Sequence, residues 1–280
     1  MYGQRSSGQG CGLNSGRLIV GILMAVFALI SYFGSKEYNP ITNENQHISI
    51  SREQEVAMGL QAAPEMEQQY GGEANDPQGK AVVDKVCQQI VTRSDAAKTD
   101  WEFQCHLLAD DQTINAFALP GGPVFITEAL FRRLKTEGQV AGVLGHEISH
   151  VVARHSAQQI AKQQLTQGLT GAAVIASYDP NNPNSQQTAA VAAMIGQLVN
   201  LRFSREDESQ ADEYGVRFMT QAGYDPNAMV QVMQILQQSS EGNEPPEFFS
   251  THPNPANRIV KIQEEIKQQF PNGLPPNLVK

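Results

Sequence analysis

The residues best arranged to do chemistry in this chain are His146 and His150, with Glu147 beside the first, in the run His146-Glu147-Ile148-Ser149-His150. On an α-helix, residues four apart lie on one face, so both imidazoles can address one cation. Glu147 adjoins the first ligand and can reach a water activated at that cation. The pattern arises by chance on the order of once in a hundred chains of this length. Here it falls inside a strongly helical stretch, where its geometry requires it to be. The cation that suits two imidazoles and a nearby carboxylate base is zinc, one ion per chain. Glu147 is then the general base, taking a proton from the attacking water and delivering it to a leaving amine.

Two histidines do not complete a catalytic zinc site, which takes three protein ligands. No third histidine follows at short spacing. His155 is five residues beyond His150, about 140° around a continuous helix, and is expected to face solvent. The third ligand is therefore sought on another helix. The acidic run from Ser204 to Asp212 contains Glu208 and Asp212, four apart and on one face. One of the two can bind the metal while the other orients a ligating imidazole. Glu206 and Asp207 point elsewhere and are expected to be solvated or paired with Arg202 or Arg205. His252, in the Pro-bounded loop Thr251-His252-Pro253, is either a structural loop histidine or a group lining the active site. In the second role it stabilises the oxyanion or fills the open zinc position at rest.

Four blocks in order, NAFALPGGPVFITEAL, HEISH, SREDESQADEYG and THPNPANRI, resemble the HtpX-like and CAAX-prenyl-protease-like zinc metallopeptidases (gluzincins, peptidase family M forty-eight). The likeness runs over roughly residues 50–265 and is strongest to the periplasmic BepA-like and LoiP-like members. It implies that Glu208 is the third zinc ligand, that Asp212 supports a zinc-binding histidine, and that His252 belongs to the active site. It also implies a protease of envelope protein quality control. The multi-span members of the family differ from this chain, which has one apolar segment.

The elements that must position these groups can be read from periodicity. Ser51 is a helix N-cap, and that helix breaks near Pro64 or at Gly71-Gly72. Asp76 and Pro77 open a second helix, with Val82, Val83, Val86 and Ile90 on one side. Residues 101–108 alternate as a strand, residues 115–119 form a short second strand, and residues 124–126 a third after the Pro120-Gly121-Gly122-Pro123 turn. Thr127 caps the helix that follows. Residues 137–164 read as one long helix carrying both histidines. Further helices are expected at 203–221 and 226–238, with a last one starting at Pro255 or Ala256. The predicted fold is α+β, mostly helical, a zincin-like metallopeptidase core with a small three-stranded sheet. Its second strand, through Asn115, Ala116, Phe117 and Ala118, is a candidate substrate-binding edge, since an extended peptide can add to a sheet edge.

Composition sets the surroundings. The chain has 280 residues and a net charge of −9, so it lacks the basic footprint of a nucleic-acid binder. Residues 1–16 are Gly-, Ser- and Gln-rich and expected to be disordered. The segment 17–35 carries an uncharged apolar run from Leu18 to Ser35, preceded by Arg5 and Arg17. This reads as an uncleaved signal anchor, or else a removed signal peptide, and the charge places the catalytic domain outside the cytoplasm. The metallopeptidase domain is expected over 36–270, with 168–200 as a candidate lid and 271–280 as a loose tail. Cys87 and Cys105 either pair, if the domain faces an oxidising compartment, or are two buried thiols. The expected partners are polypeptide substrates and, through the N-terminal segment, a membrane. The competing reading is a zinc-stabilised chaperone or assembly factor without proteolysis. Glu147 argues against it, because structural zinc needs no general base.

Overall fold

The computed structural model describes residues 15–177, 202–240, 245–254 and 257–280. The first helix, α1 (Ser15–Gly34), contains one stretch, Gly16–Gly34, long and apolar enough to cross a membrane by length and composition. Its apolar side chains stand largely exposed, Phe27 at 74%. A hairpin absent from the sequence reading follows at once: β1 (Lys36–Asn39) pairs antiparallel with β2 (Glu44–His47), and Asn43 takes a left-handed turn. The hairpin is fixed to α1, since His47 Nδ1 lies 2.8 Å from the Tyr32 carbonyl and the two rings stack.

Helix α2 (Arg52–Gln69) starts at a capping box between Ser51 and Gln54 and carries Pro64 inside it. It ends at Gly71 and Gly72, both at φ 82°, which a residue with a Cβ rarely adopts. Helix α3 (Pro77–Arg93) is opened by Asp76, which accepts from the backbone N–H groups of Gln78 and Gly79. Three strands follow: β3 (Gln104–Leu108), β4 (Ala116–Ala118) and β5 (Pro123–Thr127). The order is β3-β5-β4, with β3 parallel and β4 antiparallel to β5, so β4 is an edge and the fully buried β5 is central. Cys87 of α3 and Cys105 of β3 form a disulfide. In the chain-entropy picture a loop of this size stabilises the fold by about 3 kcal/mol.

Thr127 caps the short α4 (Glu128–Phe131), as expected, and α5 (Glu137–Val152) follows, buried from Gly138 to its end. The single helix expected over 137–164 is instead two. Ala153 ends α5, Arg154 adopts φ 54°, and α6 (His155–Ser177) sets off in a new direction. The physical reason lies outside the helix. Its orphan C-terminal carbonyls, which no intrahelical donor reaches, are taken by the hairpin. Asn39 donates to Val152 O at 2.8 Å and Gln46 to Ala153 O at 2.8 Å. The buried Arg154 guanidinium is held by Glu55 and Glu37. These long-range partners hold a left-handed arginine that local propensity would not choose.

Helix α6 packs along α1, where Gly168 meets Ala28. The candidate lid, 168–200, lies for the most part outside the described residues. Helix α7 (Arg205–Gln221) is opened by a second capping box, Ser204 with Asp207. Asp207 is therefore buried in the cap and not solvated. Helices α8 (Asn227–Gln238), α9 (Phe248–Thr251) and α10 (Arg258–Gln269) complete the chain. The 271–280 segment, expected to be loose, is docked: Val279 donates to Gly223 O at 2.9 Å and accepts from Asp225 N at 2.8 Å. The core is α5 enclosed by α3, α7, α8 and the sheet, so the observed architecture is α+β and mostly helical with a three-stranded mixed sheet.

The Pro120–Pro123 turn is pressed against α2. A Cβ on Gly59 would lie 1.9 Å from Pro120 O, a backbone atom that cannot swing away. Gly59→Ala is expected to destabilise the fold by about 1–3 kcal/mol through overpacking. Urea unfolding followed by circular dichroism checks this, and an unchanged midpoint would refute the contact.

Candidate metal centre

Burial of α5 on every side forces its two histidines into the protein, where imidazole nitrogens need partners. The partners come from α7, which crosses α5 at two glycines: a Cβ on Gly145 would sit 3.4 Å from Gly215 O, and one on Gly215 3.3 Å from His146 N. Larger side chains there would hold the helices apart. The close crossing brings Glu208 and Asp212 up to the imidazoles.

Four side chains converge. One ligand atom from each of His146, His150, Glu208 and His252 lies within 4.8 Å of all the others, and all four residues are buried. His146 Nε2 is 3.1 Å from His150 Nε2, 3.5 Å from Glu208 Oε2 and 3.4 Å from His252 Nδ1. His150 Nε2 is 3.4 Å from Glu208 Oε1. Donors bound tetrahedrally to zinc stand roughly 3.3 Å from one another, so the spacing fits that ion. The chemistry of the set agrees. Asp212 Oδ1 lies 3.0 Å from His146 Nδ1 and, as a carboxylate, accepts its proton, so that the neutral ring has its lone pair on Nε2, aimed at the cluster. Both oxygens of Glu147 are buried without a hydrogen-bond partner among the described residues, and His252 Nε2 is 3.6 Å from one of them.

The family pattern described as Peptidase family M48 matches residues 77–266. The chain belongs to peptidase family M48. Members of this family are metal-dependent peptidases, in keeping with the donor cluster. The chain is 33% identical over 203 residues to the beta-barrel assembly-enhancing protease of Escherichia coli, a match covering 70% of this chain and 41% of the relative. It is 35% identical over 243 residues to the mitochondrial metalloendopeptidase OMA1 of Schizosaccharomyces pombe, covering 85% and 69%. The Yersinia pestis beta-barrel assembly-enhancing protease matches at 30% over 266 residues, covering 93% and 54%. The chain thus spans about two fifths to half of the length of its bacterial relatives.

In this M48 chain the residues predicted from the sequence, His146, Glu147, His150, Glu208, Asp212 and His252, meet at one place. The strand residues stand apart from the donors but near them. Asn115, Phe117 and Ala118 line a cavity of 220 Å³ together with Tyr70, Phe203 and His252. Asn115 is turned inward, donating to Tyr70 Oη at 3.0 Å, and Ala116 is fully buried. His155 corrects the sequence reading. It is 1% exposed, and its Nδ1 lies 2.9 Å from His150 Nδ1. The rotation of about 140° assumed a continuous helix, and the turn at Arg154 removes that premise.

Sequence reasoning also missed Arg258. Its Nε and Nη2 donate to the two oxygens of Asp212, each at 2.8 Å, and its Nη1 is 2.8 Å from Glu208 Oε2. The available signal was charge: two carboxylates on one buried helix face demand a cation. Burial pushes the carboxyls of Glu208 and Asp212 up, but His252 and Arg258 facing Glu208, and Arg258 facing Asp212, hold both below the usual range. Burial raises Glu147 and lowers His150.

Burial also disfavours a charged His146, yet Asp212 and Glu208 lift it from 6.5 to about 9. A raised folded-state pKa means the metal-free fold binds this proton more tightly than the unfolded chain does. That stabilisation is fully present below pH 6.5 and is lost as pH rises through about 9. A zinc ion bound through His146 would displace the same proton, so its affinity should rise about tenfold per pH unit across this window. Chelator competition at three pH values measures the slope, and a flat profile would show that no such proton is released.

Proposed function

We propose that the chain is a zinc-dependent endopeptidase that cuts unfolded or misassembled cell-envelope proteins. The observation that carries the proposal is the convergence of His146, His150 and Glu208 beside a buried Glu147 that has no hydrogen-bond partner among the described residues. His146, His150 and Glu208 hold the ion, and Asp212 orients His146 through its Nδ1 hydrogen. A zinc ion there supplies Lewis acidity, polarising a scissile carbonyl and acidifying a water. The chain does the rest. Glu147 takes a proton on a carboxylate oxygen from the attacking water and releases it to the leaving amine nitrogen. Burial raises its pKa, which favours holding the proton between the two transfers. His252 Nδ1, 2.9 Å from Glu208 Oε1, stands among the ligand atoms, which favours its resting role at the fourth position over a free oxyanion donor. The unpaired edge of β4 and the adjoining cavity, lined by Phe117 and Ala118, take an extended substrate.

The envelope assignment is supported by three features: the apolar N-terminal helix, the Cys87–Cys105 disulfide, which suits an oxidising compartment, and relatives named for enhancing β-barrel assembly. They support a single anchor with the catalytic domain outside the cytoplasm. A chaperone without proteolysis would have no use for a buried general base.

Glu147→Gln preserves shape and the three ligands. The variant should bind zinc as the parent does and lose casein hydrolysis by a factor of about 10²–10⁴ or more. Cleavage at the parent rate would remove Glu147 as the base, and a parent that binds zinc but cuts nothing would favour the chaperone.

A further inference from the structure

The second metal ligand is buttressed differently from the first. Behind His146 stands a carboxylate, whereas behind His150 stands another imidazole, and a chain of contacts runs from it to the surface. His150 Nδ1 is 2.9 Å from His155 Nδ1. His155 Nε2 is 2.9 Å from Gln210 Oε1, and Gln210 Nε2 donates to Glu44 Oε2 at 2.7 Å. His150 and His155 are buried, Gln210 is half-buried and Glu44 is exposed.

The chemistry of each group fixes the direction of every bond. Glu44 is a carboxylate and only accepts, so the amide of Gln210 must turn its NH₂ outward. Its carbonyl oxygen then faces His155 and also only accepts, so His155 carries its hydrogen on Nε2. In the neutral ring this leaves a lone pair on Nδ1, which must accept. His150 therefore carries its hydrogen on Nδ1, and its Nε2 lone pair points at His146, Glu208 and the metal position. The other tautomer would set a hydrogen on Nε2 and block the ligand. We propose that His155 is a positioning residue that, with Gln210 and Glu44, locks His150 into the tautomer and ring orientation that bind the metal. The aromatic faces around these rings agree, since Phe203 stacks on His150 at 4.0 Å between centroids and leaves the ring edge as the place for control.

The inference rests on the metal-site reading above, and its test separates the two. Zinc affinity of the full chain in detergent is measured by chelator competition, with circular dichroism as the folding control. His155→Phe keeps an aromatic ring but offers His150 no acceptor, and should weaken zinc about 10–100-fold. His155→Asn places an oxygen near the lost Nδ1 and should return affinity to within a few-fold of the parent. Gln210→Leu frees the His155 tautomer and should fall between the two. In the parent, ¹⁵N-histidine spectra should show His155 with its hydrogen on Nε2. A hydrogen on Nδ1 of His155, parental affinity in His155→Phe, or no recovery in His155→Asn would each overturn the assignment. If His155→Phe fails to fold, Gln210→Leu and the tautomer spectrum decide. A parent that takes up no zinc overturns the metal site itself, and this inference with it.

Discussion

Ionised groups taken out of water must be paired, and that constraint organises the centre of this molecule. Glu208 and Asp212 are both buried on one face of α7, with Glu147 close by on α5. Arg258 meets two of these acids at once, bidentate to Asp212 and single-contact to Glu208. One guanidinium against two carboxylates still leaves negative charge next to two imidazole nitrogens 3.1 Å apart. A divalent cation would offset that charge. Burial also raises the affinity of Glu147 for a proton, as a proton carrier requires. The tight helix crossing at Gly145 and Gly215 follows from the same requirement, because the paired groups must be within bonding reach across two helices.

The two ligating imidazoles are tuned from behind in unequal ways. A carboxylate behind His146 makes that ring more basic and more tightly proton-binding, whereas a neutral ring behind His150 leaves it easily deprotonated under burial. Both arrangements present a lone pair to the same point. They differ in how much proton competition the metal meets, which is concentrated at His146.

Much of this was legible in the sequence because it depended on local spacing. The separation of His146 from His150, and of Glu208 from Asp212, is a property of one helix each, and the caps at Ser51, Asp76 and Thr127 follow from side-chain chemistry within three residues. That these helices meet was available only through resemblance. What failed depended on distant partners. The break at Arg154 is imposed by Asn39, Gln46, Glu55 and Glu37, none within ninety residues of it in the chain, and with it went the expected outward placement of His155. The hairpin that provides two of those donors is short, polar and without alternation, so periodicity gave no sign of it. The docking of Val279 likewise depends on backbone groups of Gly223 and Asp225, far from it in the chain.

The hairpin also changes how the apolar helix relates to the enzyme. Between α1 and the α5 carboxyl end there is no slack tether: Tyr32 holds His47, and Asn39 and Gln46 of the same hairpin close off the helix that carries both imidazoles. Residues 36–47 thus belong to the catalytic body and not to a leash. A soluble derivative trimmed after residue 47 would forfeit the stop that turns α6 away, and with it the buttress behind His150. The boundary between the apolar helix and the catalytic body therefore lies at Ser35, and whatever that helix is set into is coupled to the active site through a rigid joint.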